Sequence, residues 1–230
     1  MRPMIPKAVI VSHGQPGDPG PQQQAIEDLA ASVAAEGPGC AVAGATLAMP
    51  GALAAVTDDD SLIYPMFMAE GWFTRSELPR RLAQAGAGGT RVLRPFGTDP
   101  ALPGLIVAQA HAAAAAQGWA PGDVTLLLSA HGSQRSQASF TITTALAETL
   151  APHFARVVTG FVEQEPFIAD AARGLDRAVS LPLFALRADH VLDDLPAALD
   201  QAGFSGPRLD PIGLAPEVPA LIAASIRAAL

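Results

Sequence analysis

The hydrophobic residues of this 230-residue chain are concentrated in short runs separated by longer amphipathic stretches. Short apolar runs of this kind are typical of strands buried on both faces of a parallel sheet. Eight strands are predicted on this basis: Ala8–Val11, Ala41–Leu47, Leu62–Phe67, Arg91–Phe96, Val124–Ala130, Val157–Val162, Val179–Phe184 and Arg208–Ile212.

The stretches between these runs have helical spacing, and several begin with proline, which is favoured in the first helical turn. Six helices are predicted: Pro21–Glu36, Arg75–Ala85, Pro100–Gln117, Gln137–Phe154, Asp193–Ala202 and Pro216–Leu230. Because strands and helices alternate along the chain, the pattern predicts an α/β protein with parallel sheets covered by helices.

The second half of the chain repeats the first half in the same order. The segment PMFMAEGWFTRSELP at 65–79 matches PLFALRADHVLDDLP at 182–196. Further anchors recur at nearly the same offset: His13-Gly14 with His131-Gly132, Pro50 with Pro166, and Pro95, Gly97, Pro100 and Pro103 with Pro211, Gly213, Pro216 and Pro219. Shared turn chemistry explains single matches but not their common order. We therefore expect an internal duplication, with two similar lobes at residues 1–117 and 123–230, each a parallel sheet flanked by helices.

Composition narrows the class of protein. Hydrophobic residues make up 50% of the chain, which is enough for a sizeable core, but no apolar run reaches the roughly 20 residues that a membrane helix needs. The N-terminal segment lacks a signal-peptide core, and the single cysteine, Cys40, fits a reducing compartment, so a cytoplasmic protein is expected. The net charge of −8 and the absence of a basic run argue against a nucleic-acid partner.

Ligand-type side chains follow the predicted strands of the second lobe. His131 and Glu163 stand at strand ends, and His190 follows a third strand by a short loop. The carboxyl ends of parallel strands meet at one edge of a sheet, where ligands bind. Two imidazoles and a carboxylate suit Fe²⁺, Co²⁺ or Ni²⁺. In the aligned first lobe the matching residues are His13, Leu47 and Phe73, so only the second lobe is expected to hold a metal.

Each of these residues also has a structural interpretation. The His-Gly pair of His131 can serve only as a turn, and Glu163 can be a solvated carboxylate for which Glu165 competes. His190 can lie in the first turn of a helix, with Asp189 as its cap. The asymmetry between the two copies favours the functional interpretation.

The motifs LLLSAHGS, VEQEP and PLFALRADHVLDDLP resemble those of the sirohydrochlorin chelatases, ATP-independent enzymes of cobalamin and sirohaem biosynthesis, in their long two-lobed form. The resemblance implies a lyase that inserts Co²⁺ or Fe²⁺ into sirohydrochlorin. It also implies that His131, His190 and Glu163 bind the metal and assist its insertion. The chain departs from the family pattern at Phe73, where a histidine is possible, and at Gln164 and Glu165, where small and aromatic residues are expected.

The resemblance further implies a tetrapyrrole bound in a cleft between the lobes, with no cofactor beyond the substrate metal. Because sirohydrochlorin carries many carboxylates, cations are needed near the site, and Arg135 and Arg187 are best placed; Arg75, Arg80 and Arg81 are weaker candidates. His13 and Trp72 are expected to contact the macrocycle from the first lobe. Either a monomer or a homodimer is compatible with the fused repeat.

Three other functions remain open at this point. A non-catalytic carrier or sensor would bind tetrapyrrole or metal without turnover. A porphyrin ferrochelatase would act on a less carboxylated ring. A hydrolase is the least favoured, because no Ser or Cys nucleophile motif is present.

Overall fold

The structure, a computed structural model, describes residues 7–134, 136–187 and 193–230. The contacts divide the chain into two compact units. The first unit runs to Asp99 and includes Pro216–Leu230. It contains the strands β1 Lys7–Ser12, β2 Ala41–Thr46, β3 Leu62–Pro65 and β4 Arg91–Val92, and the helices α1 Pro19–Ala35, α2 Ala52–Val56, α3 Leu78–Gln84 and α8 Val218–Ala229.

The second unit comprises Pro100–Ala215. Its strands are β5 Thr125–Ala130, β6 Arg156–Phe161 and β7 Ala178–Pro182, and its helices are α4 Leu102–Ala116, α5 Ala138–Leu150, α6 Ile168–Ala172 and α7 Leu195–Gln201. Both sheets are parallel, with the strand order β2-β1-β3-β4 in the first unit and β6-β5-β7 in the second.

The two sheets repeat each other in register. Val11 pairs with Pro65 in the first unit, and Ser129 pairs with Pro182 in the second. Ser12 pairs with Thr46, as Ala130 pairs with Phe161. The duplication therefore extends from the sequence to the pairing of individual residues, and it brings equivalent strand ends to equivalent edges of the two sheets.

Burial explains why the apolar runs form the central strands. In β1 and β5, five successive residues are buried after a half-buried first residue. A strand covered on both faces by helices removes apolar side chains of either orientation from water. A core cluster lies in each unit, around Val9 and Ile63 in the first and around Leu127 and Leu199 in the second.

Several predicted elements differ from the observed ones. The fourth strand of the first sheet is only Arg91–Val92, and no strand forms over the predicted range Arg208–Ile212, where a single bridge joins Arg208 to Ser180. Pro207 directly precedes this range and Pro211 lies within it, and neither has the N–H that a ladder requires. The short helices α2 and α6 were not predicted, and a π-helical turn, Phe73–Glu77, precedes α3.

The division into units also differs from the lobe boundaries 1–117 and 123–230 that the repeat predicts. Helix α4 belongs to the second unit, where it packs on β7 and α5, and α8 belongs to the first unit, where it packs on α1. The expected linker, residues 117–123, consequently lies inside the second unit. Among the residues that the structure describes, no helix is long and apolar enough to cross a membrane.

Candidate metal and tetrapyrrole site

The carboxyl edge of the second sheet brings His131 and Glu163 together. His131 directly follows β5, and Glu163 is the second residue after β6. The backbone N–H of Glu163 donates to the carbonyl of His131 at 2.9 Å, which continues the strand pairing by one more bond. As a result, His131 Nδ1 lies 3.7 Å from Glu163 Oε2, and the two side chains are 41% and 44% exposed. Both remain accessible to an incoming ion.

The backbone around His131 requires the glycine that follows it. Gly132 has a φ of +73°, and a Cβ at this position would lie 2.8 Å from Cγ of Gln164 and 3.0 Å from Cβ of Phe161. Gly14, which follows His13, has a φ of +77° and is equally crowded. The repeated His-Gly pair is therefore a packing requirement in both units, and the glycine alone does not mark a metal site.

The surroundings of the His131 ring favour one tautomer. Nδ1 lies 3.0 Å from the carbonyl oxygen of Gly132 and on the side that faces Glu163. Because both neighbours are acceptors, they favour the proton on Nδ1, which leaves the Nε2 lone pair for a metal. His131 and Glu163 thus place one imidazole and one carboxylate side by side, with the carboxylate on the Nδ1 side of the ring.

Two of the predicted site residues, His190 and Arg135, lie outside the described residues. Within the described ranges, no group of three His, Cys, Asp or Glu residues is arranged to hold a metal. The structure therefore brings together two members of the predicted triad, and the third stays a prediction.

The predicted arginines that the structure describes are paired with carboxylates. Arg187 contacts Asp210 at 3.0 Å, and Arg75 contacts Glu70 at 3.0 Å. In the first unit, Glu77 accepts hydrogen bonds from Arg80 and Arg81, which lower its pKa to about 2. The positive charge that each arginine offers to a polyanionic substrate is therefore partly offset.

The corresponding edge of the first sheet carries aromatic residues. The His13 ring lies 4.3 Å from Phe73, and the indole of Trp72, which is 63% exposed, meets Phe73 edge-on at 5.0 Å. Burial lowers the pKa of His13; the Glu77 carboxylate opposes this shift and Arg81 adds to it. This edge offers an apolar surface with one neutral imidazole.

The first-unit counterpart of Glu163 differs from the prediction. The N–H of Ala48 donates to the carbonyl of His13 at 2.9 Å, as the N–H of Glu163 does to the carbonyl of His131. The N–H of Leu47 donates instead to the carbonyl of Ser12, and the Leu47 side chain is buried. Ala48 is therefore the equivalent residue, and Leu47 was the wrong choice. The first unit still has no carboxylate at this position.

Equivalent cavities of different size lie beside the two strand edges. The cavity between α6 and α7 has a volume of about 490 Å³, and the one between α2 and α3 has about 160 Å³. Arg81 lines the smaller cavity and pairs with Glu77. The aligned repeat has Ala198 and Asp194 at these positions, and both line the larger cavity. Replacement of an arginine by alanine therefore leaves space in the second unit.

Sequence reasoning missed two features of the site. Gln164 was recognised only as a departure from the family pattern, although its side chain contacts the loop after His131. The larger cavity was also missed. The aligned repeats do indicate it, because the small residue Ala198 is aligned with the large residue Arg81.

Comparisons with known proteins agree with this two-lobed α/β fold of the chelatase type. The model of the CbiX family matches residues 125–229. A solved structure of CbiX, the terminal enzyme for biosynthesis of sirohaem in denitrifying bacteria, shares 61% sequence identity over 97% of this chain and 99% of that chain, with a TM-score of 0.92. The chain belongs to the CbiX family, and the predicted family and fold class are confirmed. No curated protein sequence matches the chain.

More distant structures share the fold. SirB from Bacillus subtilis with Fe³⁺ is 13% identical over 97% of this chain and 95% of that chain, with a TM-score of 0.73. The sirohydrochlorin chelatase SirB from Bacillus subtilis subspecies spizizenii in complex with cobalt is also 13% identical, over 97% and 94% of the two chains, with a TM-score of 0.68.

Proposed function

We propose that this protein is an ATP-independent sirohydrochlorin chelatase that inserts a divalent metal ion into the tetrapyrrole. The observation that carries the proposal is the adjacent pair His131 and Glu163 at the carboxyl edge of the second sheet, in a chain that is 61% identical to CbiX. Because that relative completes sirohaem, an iron tetrapyrrole, we propose Fe²⁺ as the natural metal and Co²⁺ as an accepted alternative.

The proposed ligands are His131, Glu163 and His190. Imidazole and carboxylate ligands with open coordination positions suit Fe²⁺ and Co²⁺ and leave room for the tetrapyrrole nitrogens to replace bound water. The half-exposed side chains of His131 and Glu163 fit a metal that is taken up from solvent and then passed on. A closed site with four protein ligands would retain the ion instead.

Insertion also requires proton transfer. As the metal binds the ring, two pyrrole N–H protons leave, so the charge of the incoming M²⁺ is balanced by two released protons. We propose that the carboxylate of Glu163, freed as the metal passes to the ring nitrogens, accepts the two protons in turn and passes each to solvent, to which its side chain is exposed. With its proton on Nδ1, the His131 ring supplies the Nε2 lone pair to the metal.

Substrate contacts are proposed on chemical grounds. Trp72 and His13, which both contact the ring of Phe73, present an aromatic surface on which a macrocycle face is proposed to pack. Arg187 and Arg135 are proposed to neutralise peripheral carboxylates, which the net charge of −8 would otherwise repel. Arg187 would exchange its contact with Asp210 for a substrate carboxylate.

The test is metal insertion followed by the absorption of sirohydrochlorin, without ATP, under anaerobic conditions with Fe²⁺ or Co²⁺. The parent protein should accelerate insertion over the uncatalysed rate. His131→Ala should lower kcat by roughly a hundredfold or more, and Glu163→Gln by roughly tenfold, because each removes a ligand or a proton acceptor. His153→Ala, which changes an exposed histidine in a 3₁₀ turn, is the matched control and should retain full activity.

Three outcomes would contradict the proposal. Full activity in His131→Ala would remove the assigned site. A spectral change on binding without any acceleration would indicate a carrier or sensor. Insertion into protoporphyrin but not into sirohydrochlorin would indicate a porphyrin ferrochelatase.

A further inference from the structure

The side chain of Gln164 joins the two loops that carry the proposed metal ligands. Gln164 directly follows Glu163 in the loop after β6. Its Oε1 accepts a hydrogen bond from the backbone N–H of Ser133, two residues after His131, at 2.7 Å. This is a short N–H···O distance, and it links segments that are 31 residues apart in the sequence.

Gln164 also restricts the residue next to His131 by packing. Its Cγ lies only 2.8 Å from the position that a Cβ on Gly132 would take. The methylene chain of Gln164 therefore covers Gly132. The N–H of Gly132 donates to Ser139 Oγ at 3.3 Å, and the carbonyl of His131 accepts from Val162 and Glu163. The backbone on both sides of the imidazole is therefore fixed, with Gln164 providing the last of these contacts.

The first repeat shows what the same loop looks like without this contact. Met49 follows Ala48 as Gln164 follows Glu163, and a thioether offers no amide oxygen to accept a backbone N–H. The N–H of Met49 donates instead to Oγ1 of Thr46, the last residue of its own strand β2, at 3.2 Å. The second repeat also has one more residue between its strand and the shared proline at 166 than the first has before Pro50. The longer loop and its glutamine occur in the repeat that carries Glu163.

We infer that Gln164 is a positioning residue that holds His131 and Glu163 at the spacing the substrate metal requires. This inference rests on the proposed function. Fixing both loops before the ion arrives removes the entropy cost of ordering them on binding. Partners that orient metal ligands typically affect metal affinity or activity ten- to a hundredfold. The effect should fall on metal affinity and kcat, since Gln164 holds the ligands and is not proposed to touch the macrocycle.

The test uses Gln164→Met, which keeps the length and the packing over Gly132 but removes the acceptor. Two readouts are taken on the full chain: the Kd for Co²⁺ alone, from its ligand-field absorption, and the kcat and KM for insertion into sirohydrochlorin. The Kd should rise about tenfold and kcat should fall about tenfold, with KM for the tetrapyrrole changed less than about twofold. Gln164→Glu, which restores an acceptor oxygen, should recover both values to within about threefold.

Gln24→Met is the matched control. It makes the same chemical change on α1, where the Gln24 amide donates to Asp28 on the helix surface, and it should leave both readouts unchanged. If Gln164→Met does not fold, Gln164→Asn takes its place, because the shorter amide cannot reach Ser133.

The outcomes separate this inference from the proposed function. Parent-like Co²⁺ affinity and kcat in Gln164→Met would overturn the positioning role while leaving the chelatase intact. A parent protein that does not accelerate insertion would overturn the proposed function. In that case the Co²⁺ affinity still tests whether Gln164 orders the ligand pair. A parallel loss in Gln164→Met and Gln164→Glu would overturn the accepted hydrogen bond as the cause, because Glu restores the acceptor oxygen and both variants keep the packing over Gly132.

Discussion

His13 and His131 occupy equivalent positions in the repeat, but their neighbours give them different chemistry. His131 faces the Glu163 carboxylate at 3.7 Å, whereas His13 packs against Phe73 at 4.3 Å and has Ala48 in place of the glutamate. An imidazole beside a carboxylate is suited to a cation, and an imidazole under an aromatic ring is suited to an apolar contact. The residues beside each histidine, Glu163 in one repeat and Ala48 and Phe73 in the other, therefore distinguish the edge proposed to bind metal from the aromatic edge.

The pH titration of His13 is the first prediction at the residue scale. Burial lowers its pKa from the ordinary value of 6.5, so His13 should still be mostly neutral at pH 6.5. The unfolded chain binds this proton more readily, so the contribution of a neutral His13 to stability is lost as the pH falls below 6.5. An NMR titration of the imidazole signals should give a midpoint below 6.5.

The variant Phe73→Ala tests the cause of this shift. Removing the ring exposes His13 to water, so the midpoint should move up towards 6.5. A parent midpoint at or above 6.5, or a midpoint that does not move in Phe73→Ala, would contradict burial as the cause.

The structure agrees with the predicted placement of His131 and Glu163 at one sheet edge and corrects the predicted counterpart of Glu163 in the first repeat. His131 and Glu163 were identified from their places after apolar runs, and the structure brings them together. The alignment was anchored on Pro50 and Pro166, so the extra residue in the second loop shifted the pairing by one and matched Glu163 with Leu47. Strand pairing places Glu163 opposite the carbonyl of His131, and this pairing is visible only in three dimensions.

At the scale of elements, close packing explains the two glycines that the repeat aligns, Gly97 and Gly213. The N–H of Gly97 donates to the carbonyl of Phe67 at 2.9 Å, and that of Gly213 donates to Phe184 at 3.0 Å. A Cβ on Gly213 would lie 1.9 Å from the carbonyl oxygen of Ala185. The segments that contain Gly97 and Gly213 thus pack directly on the residues that follow β3 and β7.

Gly213→Ala should therefore destabilise the protein. The backbone must move to admit the methyl group, and overpacking of this kind costs about 3 kcal/mol. Gly104→Ala, on an exposed position of α4 with open space around it, is the matched control and should stabilise by about 0.5–1 kcal/mol. Urea unfolding followed by circular dichroism measures both. A Gly213→Ala variant as stable as the parent would show that the loop adapts without cost.

The predicted strands were correct for the first three strands of each repeat, including the edge strands β2, β6 and β7, and failed at the fourth strand of each repeat. Continuous burial in β1 and β5 gives a clear apolar run, whereas Arg91 and Val92 in β4 are both exposed. Whether an edge residue pairs depends on its neighbour across the sheet, as the single bridge from Arg208 to Ser180 shows. Such pairing leaves little signal in local hydrophobicity.

At the scale of the whole molecule, the repeat and the compact units are two different divisions of the chain. The repeat predicts that α4 belongs with the first sheet and α8 with the second, but each packs in the other unit. In the first unit, buried Asp99 accepts hydrogen bonds from Tyr64 at 3.1 Å and from Ser225 of α8 at 2.6 Å. Sequence similarity between the repeats indicates that the segments share an origin, but it does not indicate which sheet each helix packs against.

Two fragments of similar length test which division is the folding unit. Residues 100–215 keep α4 on β7 and α5, whereas residues 118–230 follow the repeat boundary, lose α4 and retain α8 without its partner α1. The buried face of α8, which includes Ile222 and Ile226, would be exposed in the second fragment. Because each buried Ile or Leu contributes about 1.5–3 kcal/mol, the 100–215 fragment should melt at least about 10 °C higher and unfold more cooperatively. Thermal circular dichroism gives the midpoints, and binding of a hydrophobic dye should be stronger for 118–230. If 118–230 is the more stable fragment, the second sheet folds with its own C-terminal helix, and the assignment of α8 to the first unit is wrong.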